Sequence, residues 1–359
     1  MVAPTQTPQS YISRVTARVT GSLRHNLGFN CRAEQERQQA KSLWLNSLEL
    51  LERAEGAELT KLAHFLNHLA TIYEERGDYA KTERLYQRLV KLVERTGIDP
   101  ELEGMRVVVL RRLGSLYQAQ GRYEDAESLL KRALICSQRI FGYEHPETGE
   151  AFHHLALFQQ ERRHYEKAAK YYRKALAIFE QTISASYLRV ADLCHDLGEL
   201  ERKRRNPAAG EPMVRRALQI RSQVSGTMHP SVAIEMKSLA AILAEQLKHD
   251  EAEQLYRQAI EIIEDNCGAG HYEIASTLAK LAAIQVARGA IGQAEQCYLR
   301  AVAIKEKLLG VENLEVAALR TELAALYEQQ ARHDEAQTLS HSARTIFEKA
   351  TGALAVNPS

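Results

Sequence analysis

Seven leucines set the frame of this chain. In HLATIY, RLGSLY, HLALFQ, DLGELE, SLAAIL, KLAAIQ and ELAALY they are Leu69, Leu113, Leu155, Leu197, Leu239, Leu281 and Leu323, spaced 44, 42, 42, 42, 42 and 42 residues apart. Five identical intervals do not arise by chance. A fixed period restricts the chain to architectures in which each unit is buried against its neighbours rather than around one central core. The 359 residues would otherwise suggest two domains of ordinary size. Only 19 glycines and 8 prolines punctuate the chain, while Ala, Leu, Glu, Gln and Arg recur throughout, so the repeated unit is helical and the fold class is all-α.

Each unit reads as two helices. Helix A carries the marker leucine followed by a small residue: Ala70, Gly114, Ala156, Gly198, Ala240, Ala282 or Ala324. A tight turn follows, with Gly77, Gly121 and Gly289 in one register. Helix B then places small residues seven apart, as in Ala126/Ala133, Ala168/Ala175, Gly210/Ala217, Ala252/Ala259, Ala294/Ala301 and Ala336/Ala343. Helices that cross closely need small side chains at the contact. The bulky residues between them (Tyr86, Leu130, Tyr172, Val214, Tyr256, Tyr298) fill the space that is left. Gly142, Gly226, Gly268, Gly310 and Gly352 share the register in which helix B should stop, and Pro146 and Pro230 stand where the next helix A should start.

The small-residue pairs, the tyrosine register and the LA/LG step resemble the tetratricopeptide repeat. The 42-residue period, with the linkers GYEHP (142–146) and SGTMHP (225–230), resembles its kinesin-light-chain subclass. The resemblance spans about residues 63–352 and implies a right-handed α-solenoid superhelix of about seven helix-turn-helix repeats. It also implies that helix A lines a concave wall and that the protein binds other proteins. The heptad repeats that precede the repeats of kinesin light chains are missing, so the expectation is a light-chain-like protein rather than a kinesin light chain.

Two units depart from the pattern. The first has Thr82 and Leu89 in place of the small pair, and a partial repeat is expected before it over 34–62, with a helix B at 34–55 around Trp44. The fourth carries Pro207 at the turn and Pro212 inside helix B. This helix is therefore expected to start a turn late, near Glu211, and the unit reads first as a degenerate repeat without consequence and second as a hinge. The cluster Arg202-Lys203-Arg204-Arg205 reads first as a solvated charge run and second as a localisation signal. Residues 1–33 contain four arginines and no acid, with Tyr11, Ile12, Val15, Val19 and Leu23 at helical spacing. Such a leader is a flexible or amphipathic tail, a surface for anionic membranes, or an organelle presequence. Residues 353–359 form a tail after the last unit.

Constellations that carry chemistry are missing. There is no nucleotide-binding glycine loop, no HExxH and no GxSxG, so no enzyme activity, cofactor or metal is expected. His64 and His68 lie four apart without a third ligand, and the adjacent His153 and His154 point about 100° apart. The five cysteines are scattered, with no CxxC pair, which suits a reducing, cytoplasmic setting. A near-neutral formal charge of +1 gives no global reason to bind nucleic acid, and no apolar run is long enough to cross a membrane.

What remains is the wall formed by the A helices. Two residues before the first five marker leucines stand Asn67, Arg111, His153, His195 and Lys237, an expected polar and largely basic ladder, and Ala279 and Thr321 follow in the same register. Gln118, Gln160 and Arg202 add a second polar register. Ala241 and Ala283, with Ala244, Ala279 and Val286, make an apolar trough in the fifth and sixth units. The expected function is a non-catalytic adaptor or scaffold holding an extended peptide of a partner protein, with acidic side chains on the ladder and apolar anchors in the trough. In the resembling light chains, asparagine often clamps peptide backbone in the ladder register; only Asn67 keeps it here. Two other readings compete: a self-assembling structural protein, a homo-oligomer through its N-terminal region, and nucleic-acid binding through the basic leader.

Overall fold

In the computed structural model, residues 57–95, 100–181 and 187–356 are described. The leader 1–33, the expected helix B at 34–55 and Trp44 lie outside them. The described residues form fourteen α-helices and no strand. They are α1 (Ala57–Glu75), α2 (Tyr79–Arg95), α3 (Pro100–Ala119), α4 (Tyr123–Phe141), α5 (Pro146–Glu161), α6 (Tyr165–Gln181) and α7 (Tyr187–Lys203). They continue with α8 (Pro207–Ser225), α9 (Pro230–Glu245), α10 (His249–Cys267), α11 (Tyr272–Ala287), α12 (Ile291–Leu309), α13 (Leu314–Gln329) and α14 (His333–Val356). Odd-numbered helices are the A helices, even-numbered ones the B helices.

The chain divides into two compact units, residues 1–140 and 141–359. In the first, α1 packs on α2 and both pack on α3. In the second, every helix from α5 to α14 packs on the next, and the A helices α7, α9 and α11 also touch in succession. This is the neighbour-on-neighbour stacking of a tetratricopeptide solenoid.

The small residues do what their spacing required. Ala126/Ala133, Ala168/Ala175, Ala252/Ala259 and Ala294/Ala301 are fully buried at the crossings, and Tyr86, Tyr172 and Tyr256 are buried between or beside them. The tightest crossing joins α7 and α8. A methyl group on Gly210 would stand 2.6 Å from the Gly198 carbonyl oxygen, and one on Gly198 would collide with Val214. Ala at either site therefore forces the two helices apart. We expect Gly210→Ala to lower stability by roughly 1–3 kcal/mol, read from chemical denaturation with an unchanged helical spectrum.

Helix termini add detail to the expected punctuation. Gly142, Gly226, Gly268 and Gly310 follow their B helices at φ of +94°, +89°, +85° and +86°. At Gly226 ψ is 153°, so the residue leaves the helix extended rather than in the left-handed helical well, a conformation reserved for glycine. Gly352 breaks the expectation: α14 runs through it to Val356. The next helices open on caps that the periodicity did not reveal. His145, His229 and His271 accept through Nδ1 from the backbone N–H two residues on, and Asn313 does so through its side-chain oxygen. All four share one register, and each satisfies an orphan donor of the first turn.

The fourth unit also differs from expectation. Helix α8 starts at Pro207, in the first-turn position, rather than near Glu211, and Pro212 lies inside it. Pro212 removes only the bond to the Ala208 carbonyl, one turn from the helix start. Both residues are exposed, so water takes over that acceptor.

The turn between helices A and B requires positive φ in every unit. Gly77, Gly121 and Gly289 supply it at +73°, +75° and +76°. The same position holds Arg163, Arg205, Leu247 and Ala331, at +59°, +60°, +62° and +56°. A side chain there costs about 1 kcal/mol relative to glycine. Arg163→Gly and Arg205→Gly should each raise stability by about that amount in thermal denaturation, whereas Gly121→Ala should lower it.

Candidate functional site

In the second unit the expected ladder residues are not unopposed cations. Each basic group finds an acid from the following repeat. His153, almost fully buried on α5, bonds through Nε2 to Asp196 Oδ2 at 2.8 Å, while its Nδ1 stands 3.0 Å from the Arg189 guanidinium. His195 on α7 pairs through Nδ1 with Glu235 Oε2 at 2.8 Å. Lys237 on α9 pairs with Glu273 of α11. Arg202 is held by Glu199 and by Glu245 across the repeat boundary, the latter at 2.8 Å. Gln160 accepts from the buried Tyr172 hydroxyl at 3.2 Å.

These pairs belong to a longer chain of charge. Arg189 makes two hydrogen bonds of 2.7 Å to the Glu150 carboxylate and reaches Asp192 at 2.9 Å. Asp192 also accepts from Arg221 at 2.6 Å, and Arg221 in turn donates to Glu235 at 2.8 Å. The line Glu150–Arg189–Asp192–Arg221–Glu235–His195 therefore runs through three successive repeats. Glu235 is completely buried, and a carboxylate there is tolerable because the Arg221 guanidinium and the His195 ring both meet it. Sequence reading missed this line because Arg189, Arg221 and Glu235 lie outside the registers that face the wall. One signal is a charge on helix B at Arg221, where the two adjacent units place Phe179 and Ile263.

Burial works against charge on His195. Its hydrogen bond to Glu235 and the charges of Glu235, Asp196 and Glu199 outweigh that effect, and its pKa is raised above the ordinary value of 6.5. The pair therefore contributes fully below that value and fades as pH rises through the raised one. The stability difference between the wild type and His195→Gln should shrink from pH 6 to mildly alkaline pH, measured by denaturant titration. A difference that grows with pH would contradict this.

Beyond the charged stretch the wall becomes apolar. Ala283 is exposed on α11; Ala241 is half-buried on α9; Ala244, Ala279 and Val286 are half-buried against the core; Ile234 on α9 is half exposed. In the first unit, described by itself, Asn67, Arg111 and Gln118 are half-buried on α1 and α3. The Asn67 side-chain oxygen is buried with no hydrogen-bond partner among the described residues, and its backbone carbonyl accepts from Thr71 at 3.0 Å. His64 and His68 are both exposed. Among the described residues no group of three or more His, Cys, Asp or Glu could hold a metal ion, and no helix is long and apolar enough to cross a membrane.

Family models for the tetratricopeptide repeat match residues 62–96, 106–181, 189–265, 236–307 and 273–349. The chain belongs to the tetratricopeptide repeat family. Among solved structures, BtubC (BKLC) from P. vanneervenii is similar at 25% identity and a TM-score of 0.57, covering 66% of this chain and 94% of that one. A P. anserina putative kinesin light chain with nearly identical repeats is similar in fold at 23% identity and a TM-score of 0.52, covering 58% and 98%. The apo form of RapI shares the fold at 14% identity and a TM-score of 0.58, covering 83% and 98%. The light-chain-like character of the repeats accords with the first two. No curated protein matches the chain. Repeats of this family generally mediate protein–protein interaction and scaffolding.

Proposed function

We propose that this tetratricopeptide repeat protein is a non-catalytic adaptor that holds an extended segment of a partner protein along its A-helix wall, in the cytoplasm. The observation that supports this reading is the trough around Ala241 and Ala283. Ala283 is exposed and Ala241 half-buried there, small apolar side chains beside polar groups that already have partners. Apolar anchors of a partner gain burial in the trough, at about 25 cal/mol per Å² removed from water. The segment's backbone and polar side chains meet Gln160, His195, Arg202 and Lys237 of the second unit. Because His153, His195 and Lys237 already have carboxylate partners, acidic residues of the segment add less here than its apolar anchors do. The free thiols Cys136, Cys194, Cys267 and Cys297 accord with a reducing compartment.

A displayed random-peptide library selected on the full-length chain tests the reading. Enriched peptides should carry spaced apolar residues, and Ala241→Arg with Ala283→Arg should weaken their binding by more than tenfold at unchanged helicity. Enriched peptides that bind the double variant as well as the wild type would refute it.

A further inference from the structure

The turn edge of the second unit carries a feature that the A-helix wall does not use. Arg163, Arg205 and Leu247 occupy one position of three successive repeats, each at positive φ where three other units have glycine. All three side chains are exposed, Leu247 at 77%. Neighbouring basic residues are neutralised: Arg204 by Glu201 and Glu166, Lys248 by Glu211 at 2.7 Å, and Arg332 by Glu295 at 2.8 Å. By contrast, among the described residues no carboxylate pairs with Arg163 or Arg205, nor with Lys167 and Lys203 beside them. The run 202–205 thus splits into paired Arg202 and Arg204 and unpaired, solvent-facing Lys203 and Arg205. The chain keeps side chains where its backbone favours none, and leaves the cations among them unopposed.

We propose that Arg163, Arg205 and Leu247 form a second docking edge, and that its occupant is an extended acidic segment of a partner protein with an apolar residue at one end. Packed helices lie about 8–10 Å apart, so equivalent turns of successive repeats are separated by roughly that distance. An extended chain advances about 3.3 Å per residue, and every third residue therefore meets the next repeat. The matching pattern is acid-x-x-acid-x-x-apolar, each carboxylate taking one guanidinium and the apolar side chain covering Leu247. The apolar last position favours a protein segment over a nucleic acid or a membrane, neither of which presents one apolar group after two anions at this spacing. This edge is independent of the trough, so either can fail alone.

The test uses the full-length chain and a fluorescein-labelled peptide, Ser-Asp-Ser-Ser-Asp-Ser-Ser-Leu-Ser, followed by anisotropy at low ionic strength. Binding should fall roughly tenfold in the Arg163→Gly/Arg205→Gly variant, whose melting temperature should rise, excluding misfolding as the cause. Leu247→Gly should weaken binding several-fold while leaving its salt dependence intact. Equal binding of a peptide with its two Asp adjacent, or unchanged binding by the arginine variant, would overturn the proposal. So would preference for a single-stranded oligonucleotide or phosphatidylserine vesicles over the peptide, or no binding of the peptide at all.

Discussion

Where α7 crosses α8, the backbones come so close that a single methyl on Gly210 would press on the Gly198 carbonyl at 2.6 Å. Elsewhere in the second unit alanine serves at the same crossings, and the distance between helices A and B is set by these small residues. Every other feature depends on that spacing. It fixes how the Tyr172 and Tyr256 side chains fill the layer, how the next repeat packs, and which side of each A helix is left outside the core.

Charge then works along the array rather than at any one point. Exposed ion pairs such as Lys248–Glu211 contribute little individually. The line from Glu150 to His195 is different in kind, because it passes through the fully buried Glu235 and ties three repeats together. It crosses the unit that contains Pro207 and Pro212, which the sequence marked as a candidate hinge. The tight α7–α8 crossing and this ionic line both brace the same place.

Much of the fold was legible beforehand because it is periodic. The marker leucines, small-residue pairs and glycine stops recur, and recurrence exposes them without any alignment. What does not recur in identity was harder to read. The caps at His145, His229, His271 and Asn313 share a register, yet histidine is not a residue that sequence rules associate with capping. Helix α8 starts earlier than its two prolines suggested, since Pro212 falls on a solvated face. Helix α14 passes through Gly352, so a glycine in the stop register does not by itself end a helix. The carboxylates that pair with His153, His195 and Lys237 come from the next repeat, beyond the reach of a single-register reading.

The proposed partner segment occupies the A-helix wall of the second unit. Alanine-methyl NMR of the full-length chain reads this directly, with a library-selected peptide as titrant. The Ala241, Ala279 and Ala283 methyl resonances should shift on titration, while those of Ala259 and Ala301, buried at the B-helix crossings, should stay in place. Saturating binding that leaves the three trough methyls unmoved would contradict the account.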